Sequence, residues 1–381
     1  MTVRGDGELV FPHLDLDVLG QHLQVMTESS NTKTLEAKCF CGSVHFKVDV
    51  PVSSLPFLTH LCHCSLCRYG SGAPCIFHAA LPKDVIPKFV APSSEKNMTG
   101  FLIGNGIATW EFCSTCGCHI ASITIDKRIW TPSTSIFIDG PEYFHIRKHI
   151  YSKSTKDGGI AQALTHTRGQ DFIDWNPPDD SPDAKLVESR PEVGEDGKER
   201  LRVECQCKGV SFTIPRPSQE VIDDEYMSQF VSHKDKSKWH ATFDACDDCR
   251  LVNGTHVVGW TFIPLSVCEP PIKDDLLIGT AKTFKSSDEV LRSFCGTCGA
   301  TIFFSHSDRR PGTKQHIVDL ATGILRAPEG VMAENWLTWR GRLAWCDSGK
   351  GYDKEFTESL QEGMNKLALD RYGVVDDYNI G

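Results

Sequence analysis

Residues 62–72 read Cys62-His63-Cys64-Ser65-Leu66-Cys67-Arg68-Tyr69-Gly70-Ser71-Gly72. Residues 244–254 read Asp244-Ala245-Cys246-Asp247-Asp248-Cys249-Arg250-Leu251-Val252-Asn253-Gly254. Cys64, Cys67, Arg68 and Gly72 of the first stretch recur as Cys246, Cys249, Arg250 and Gly254 of the second. The register continues outward. The interval from Cys67 to Cys113 equals that from Cys249 to Cys295, and Pro82, Phe112 and Gly117 answer to Pro264, Phe294 and Gly299. Upstream, Cys39-Phe40-Cys41 is echoed by Cys205-Gln206-Cys207. Downstream, Cys113-Ser114-Thr115-Cys116 is echoed by Cys295-Gly296-Thr297-Cys298. So many landmarks in one ungapped register point to a duplicated globular unit, since solenoid periods are nearer about 20–50 residues.

The expected organisation follows. Residues 1–30 form an N-terminal extension, 31–170 a first zinc domain, 171–200 a linker, 201–346 a second zinc domain and 347–381 a helical tail. The linker holds Asn176-Pro177-Pro178-Asp179-Asp180-Ser181-Pro182 and Glu195-Asp196-Gly197-Lys198-Glu199, which cannot bury a core. The second unit is longer between Cys207 and Asp244, and the polar run Ser232 to Lys238 is expected to carry much of the excess as an exposed loop. Ser43 to Val50 and Val210 to Ile214 alternate polar and apolar residues, and Ala300 to Phe304 is β-branched and aromatic. These patterns predict strands, hence an all-β, β-rich fold with short helices. Glu355 to Tyr372 predicts a terminal amphipathic helix through Phe356, Leu360, Met364, Leu367 and Leu369.

Composition excludes several classes. The 381 residues carry a net charge of −10 and lack the basic footprint of a nucleic-acid binder. No run approaches the roughly 20 apolar residues of a membrane span. Met1 to Gly20 has no basic segment followed by an apolar one, so a reducing, cytoplasmic setting is expected. There, the clustered members of the 17 cysteines read as metal ligands or catalytic groups rather than disulfides.

Cys39, Cys41, Cys113 and Cys116 form two short pairs that can converge on one tetrahedral zinc, closed and structural. Cys205, Cys207, Cys295 and Cys298 repeat the set. Buried free thiols would explain neither the pairing nor its recurrence. Cys62, Cys64 and Cys67 offer three thiolates and no evident fourth, the ligand count of a catalytic zinc with an open position. A second scaffold zinc closed from elsewhere is the alternative, and His60 or His63 are the local candidates for a fourth ligand. Asp244, Cys246 and Cys249 occupy the matching place in the second unit, where a carboxylate replaces a thiolate. That leaves a modified metal site and a lost one equally open, with two to four zinc ions per chain. Cys75, Cys118, Cys268 and Cys346 are expected as small buried hydrophobes.

The order Cys-x-Cys-Gly at Cys39 to Gly42, Cys-His-Cys-x-x-Cys-Arg-x-x-x-Gly at Cys62 to Gly72, and Phe-Cys-x-x-Cys-Gly at Phe112 to Gly117 resembles the glutathione-dependent formaldehyde-activating enzyme and centromere protein V family. The resemblance covers about residues 33–155 and, more weakly, 200–345. It implies Mss4-like, or β-tent, zinc domains and a carbon–sulfur lyase or synthase acting on glutathione or a similar thiol adduct. Its prototype joins glutathione and formaldehyde into S-hydroxymethylglutathione. Carried over by position, Cys62, Cys64 and Cys67 would be the catalytic ligands. Arg68, Ser71 and Gly72 are candidate contacts to glutathione, though scaffold roles suit all three, and His78 and His119 are candidate proton carriers by residue type. The second unit departs at Asp244, and carries Arg292-Ser293 where the first has Trp110-Glu111. Two other readings stand beside this one: a zinc-stabilised protein-binding module without chemistry, and a methionine sulfoxide reductase, which would need a redox cysteine outside the zinc sets.

Overall fold

The computed structural model describes residues 2–3, 9–10, 31–103, 106–179, 189–312 and 315–375. The expected N-terminal extension therefore lies almost wholly outside the described residues, as do residues 180–188 of the expected linker. The fold is β-rich with short helices.

The alternating stretches form strands as their pattern requires. In His45–Pro51, Phe46, Val48 and Val50 are buried while Lys47 and Asp49 face outward. Ser211–Pro215 buries Phe212 and Ile214, and Thr213 between them is buried as well. Each packs in a small three-stranded sheet, with Thr32–Lys38 and Lys88–Phe89 in the first half and with Glu199–Glu204 and Glu192–Val193 in the second.

The larger sheets share one strand order. In the second half seven strands run Ala281–Lys285, Val290–Cys295, Thr301–His306, Ile317–Ala321, Val258–Pro264, Trp239–Asp244 and Leu337–Trp339. In the first half the corresponding order is Met98–Ile103, Ala108–Cys113, His119–Thr124 and Trp130–Pro132, then Ile76–His78, Phe57–Cys62 and Phe144–Ile150. There the sheet is split, and an isolated bridge between His78 and Ser133 spans the gap that the second half closes with a full ladder.

The halves meet through contacts that occur twice with the partners exchanged. Phe40 N–H donates to the Leu251 carbonyl at 3.3 Å, and Gln206 N–H donates to the Tyr69 carbonyl at 2.9 Å. Gly117 backs onto Phe294, Gly299 backs onto Phe112, and the two phenyl rings cross at 6.3 Å. This reciprocity is the signature of a two-fold, self-complementary interface, here built within one chain.

Three features add detail to the expected organisation. The expected linker is structured at both ends. Ile173–Trp175 extends the first sheet alongside Phe144–Ile150, and Glu192–Val193 pairs with Glu199–Glu204. Trp175 is held by an edge contact to Tyr151, an aromatic anchor within an otherwise polar stretch. The second-half insertion is more than an exposed loop. Short helical turns at Gln219–Asp223 and Met227–Phe230 bury Val221, Met227 and Phe230. Finally, the terminal helix, Lys354–Tyr372, spans both halves rather than packing on one. Phe356 meets Phe77 of the first half and His256 of the second, and Gly363 lies against the Ala163 carbonyl. No described helix is long and apolar enough to cross a membrane.

Candidate metal centres

Four clusters bring together the groups singled out by spacing, and within each the ligand atoms lie within 4.8 Å of one another. In the first, Cys41 Sγ stands 3.6 Å from both Cys39 Sγ and Cys113 Sγ. In its counterpart, Cys207 Sγ is 3.5 Å from Cys205 Sγ and 3.4 Å from Cys295 Sγ. Four thiolates at about 2.3 Å from one zinc are about 3.8 Å apart, so both sets fit the ion. Backbone N–H groups already point at the sulfurs, from Val44 to Cys39 at 3.3 Å and from Val210 to Cys205 at 3.4 Å. Such donors stabilise thiolate over thiol. The hydrogen bond with Cys298 brings Cys207 down to about 7, while that with Cys295 pushes Cys205 up to about 12.

Cys62, Cys64 and Cys67 sit where a strand gives way to a helix. Cys62 ends Phe57–Cys62, clasped between Ile76 and Ile150 of the neighbouring strands. Cys64 caps the helix Ser65–Ser71, and its sulfur accepts from Cys67 N–H at 3.4 Å. Cys62 is buried and the other two are partly exposed. Ile76, Trp110, Ile150 and Tyr151 pack with the cluster, so its surroundings are apolar. Burial holds the Cys62 thiol well above the ordinary thiol range, and hydrogen bonding to Cys62 does the same for Cys67. Such thiols shed their protons only to a bound cation. Among the described residues no fourth histidine, cysteine or carboxylate joins this group. The three sulfurs therefore suit a zinc that keeps one position open.

The candidate fourth ligands are committed elsewhere. His63 lies between two of the cysteines, yet its Nε2 meets His149 Nδ1 at 2.9 Å, and His149 Nε2 meets the Leu164 carbonyl at 2.7 Å. His60 sits across the ladder from His78. His78 and His119 form a buried pair, Nε2 to Nε2 at 2.7 Å, with the His119 ring 4.4 Å from Trp110.

The candidate glutathione contacts face inward. Arg68 is 4% exposed; its Nε donates to the His63 carbonyl at 3.0 Å and its Nη2 to the Ser154 carbonyl at 3.4 Å. Ser71 Oγ donates to the Cys67 carbonyl at 2.8 Å. Gly72 ends the helix at φ +78°, where an added Cβ would lie 2.3 Å from the Thr301 carbonyl oxygen. Arg68 and Ser71 brace the loop through carbonyls of the first half, and Gly72 lies against the second half.

Basic groups reach the loop from the other half of the chain instead. A cleft of about 370 Å³ borders Ser65, Leu66 and Tyr69 and draws Arg202, Lys208 and Arg326 from the second half. Arg202 is paired with Glu192, and Arg326 lies over the Tyr69 ring at 3.2 Å. Spacing gave no signal for this cleft, since it exists only once the halves dock.

In the fourth cluster Asp244 is fully engaged. Its Oδ1 accepts from Cys246 N–H at 2.7 Å and its Oδ2 from Trp260 Nε1 at 3.1 Å. Arg292 Nη1 donates to Cys249 Sγ at 3.5 Å. By register Arg292 answers to Trp110 and Trp260 to His78, a signal the sequence carried only as an unexplained difference.

Residues 34–154, which hold the first four-cysteine set and the three-cysteine cluster, match the family model of the glutathione-dependent formaldehyde-activating enzyme. The match stops before the second half. No curated protein and no solved structure matches the chain.

Proposed function

We propose that this chain is a zinc-dependent carbon–sulfur lyase or synthase acting on an adduct of glutathione or a similar small thiol, after the pattern of S-hydroxymethylglutathione synthesis. The observation that carries it is the three-sulfur cluster with two partly exposed members inside the family-matched region. The strand order shared by the halves supports a tandem of two such domains. In that reading the two four-cysteine sets hold structural ions.

A zinc held by Cys62, Cys64 and Cys67 supplies a Lewis-acidic position that stabilises a substrate thiolate, whose sulfur is a poor nucleophile while protonated. The chain does the rest. With a dication, the thiolates of Cys62, Cys64 and Cys67 would sum to a net −1, which would leave a further sulfur weakly held and reactive. Trp110 and Tyr151 shield the cluster from water, which strengthens the electrostatics at the reacting sulfur. The cleft beside Ser65 and Leu66 is lined by Lys208 and by the Arg202–Glu192 and Arg326–Glu204 pairs, which a peptide thiol's carboxylates and ammonium would have to open in order to bind there. Its volume falls in the range usual for small-ligand sites. Holding both partners beside one another lowers the entropic part of the barrier.

The test is Cys64→Ser, assayed with glutathione and ¹³C-formaldehyde by NMR and with zinc counted in the same sample. The expected result is the loss of one ion per chain and a fall in turnover of at least about 100-fold, the scale of removing a transition-state contact. Turnover at the parent rate in a sample lacking that ion would refute the reading.

A further inference from the structure

We infer that the cluster of Asp244, Cys246 and Cys249 is a metal-free site in which the Arg292 guanidinium takes the place of the zinc. Its ligand atoms are close enough to hold an ion. What differs from the first half is the cation already present. At the position of Trp110 the second half carries an arginine, only 6% exposed, lying over the Phe304 ring at 4.7 Å. Its Nε donates to Ser286 Oγ at 3.0 Å, which aims the guanidinium inward, and its Nη1 reaches Cys249 Sγ. A zinc bound to that sulfur would sit about 2.3 Å from it, so the two cations would crowd on one thiolate.

The anionic side is equally altered. A hard carboxylate replaces a soft thiolate, which weakens zinc binding. Both Asp244 oxygens already accept hydrogen bonds, one of them from Trp260, the residue at the position of His78. The buried Asp244 carboxylate and the buried Arg292 guanidinium bring opposite charges to the cluster without any ion. Asp319 and Arg309 add a second balanced pair nearby. The change from Cys62, His78 and Trp110 to Asp244, Trp260 and Arg292 is coupled through the cluster: Trp260 donates to Asp244, and Arg292 donates to the neighbouring Cys249 sulfur. The chain then carries three zinc ions and one open centre.

The test is zinc per chain by elemental analysis in the full-length protein and in Cys246→Ser. The expected count is identical in the two. A loss of one ion in the variant would overturn the inference. Native protein provides a second reading that does not depend on the variant folding. Cys246, Cys41 and Cys207 are all partly exposed. Iodoacetamide with peptide mapping is expected to modify Cys246 while sparing Cys41 and Cys207 until a chelator is added. Protection of Cys246 until chelation would overturn the inference as well. Cys246 and Cys64 belong to different clusters, so either proposal can fail without the other.

Discussion

A methyl group at Gly254 would stand 2.1 Å from the carbonyl oxygen of His119, across the boundary between the halves. The residue also adopts φ +66°, where an L side chain is strained. Gly72 faces Thr301 in the mirrored contact. These glycines sit beside the three-ligand loops because the helix that follows each loop ends against the other half. Gly254→Ala is expected to cost about 2–4 kcal/mol, from backbone strain and the clash together. Gly197→Ala is the control, since Gly197 has φ +75° and open space around it, and it is expected to lose only about 1 kcal/mol. Urea unfolding of the zinc-loaded proteins measures both. Equal losses would mean that the interface yields to the extra methyl.

Among the elements, the helix Lys354–Tyr372 binds the halves together. Asp353 caps it, accepting from Phe356 N–H at 3.1 Å, and Gly373 ends it in the left-handed region. Its apolar face was legible from the spacing of Phe356, Leu360 and Met364. The surface it covers was not, because that surface is assembled from both halves. Tyr352, in the short helix before it, donates to the Phe137 carbonyl at 2.8 Å, and Arg168 pairs with Glu355 at 3.0 Å. Leu360 is wholly buried. Leu360→Ala is expected to destabilise the chain by about 2–5 kcal/mol, the cost of a cavity in a rigid core. If unfolding remains a single transition, the halves fold as one unit. Two separated transitions would show the helix to be their main coupling.

At the scale of the whole molecule, burial sets the response to acid. His119, His240 and His256 are each held down to about 3 by burial. Unfolded, each would take its proton near pH 6.5. Folding is therefore favoured fully above that value, and the contribution is lost as pH falls towards 3, because only the unfolded chain binds the proton. Each such histidine steepens the decline by up to about 1.4 kcal/mol per pH unit. His256 is the informative one, with Thr134 Oγ1 at 3.1 Å and the rings of Phe77 and Phe356 around it at the junction of the halves. His256→Gln is expected to flatten the stability profile between pH 6 and 4 by about that slope. Loss of zinc in acid affects parent and variant alike, so the difference between their urea profiles isolates the histidine. Superimposable slopes would mean that His256 is protonated in the fold.

The cysteine spacings and the alternating strands determined a great deal on their own. Ligand sets and strand faces are local properties, fixed by how two short turns and a period of two place side chains. So the four clusters, the β-rich fold and the register between the halves were all readable as sequence. The surroundings of the clusters were decided by tertiary structure alone. Arg68 is drawn onto the His63 and Ser154 carbonyls, and Gly72 lies against Thr301 of the second half. The basic cleft beside Leu66 exists only because Arg202 and Arg326 arrive from residues far along the chain. Arg292 carries no signal of its neighbours until the strand Val290–Cys295 brings it onto Cys249. Spacing along a chain fixes which atoms can share an ion. Which charges and rings surround that ion depends on contacts between distant segments, and these form only when the halves dock.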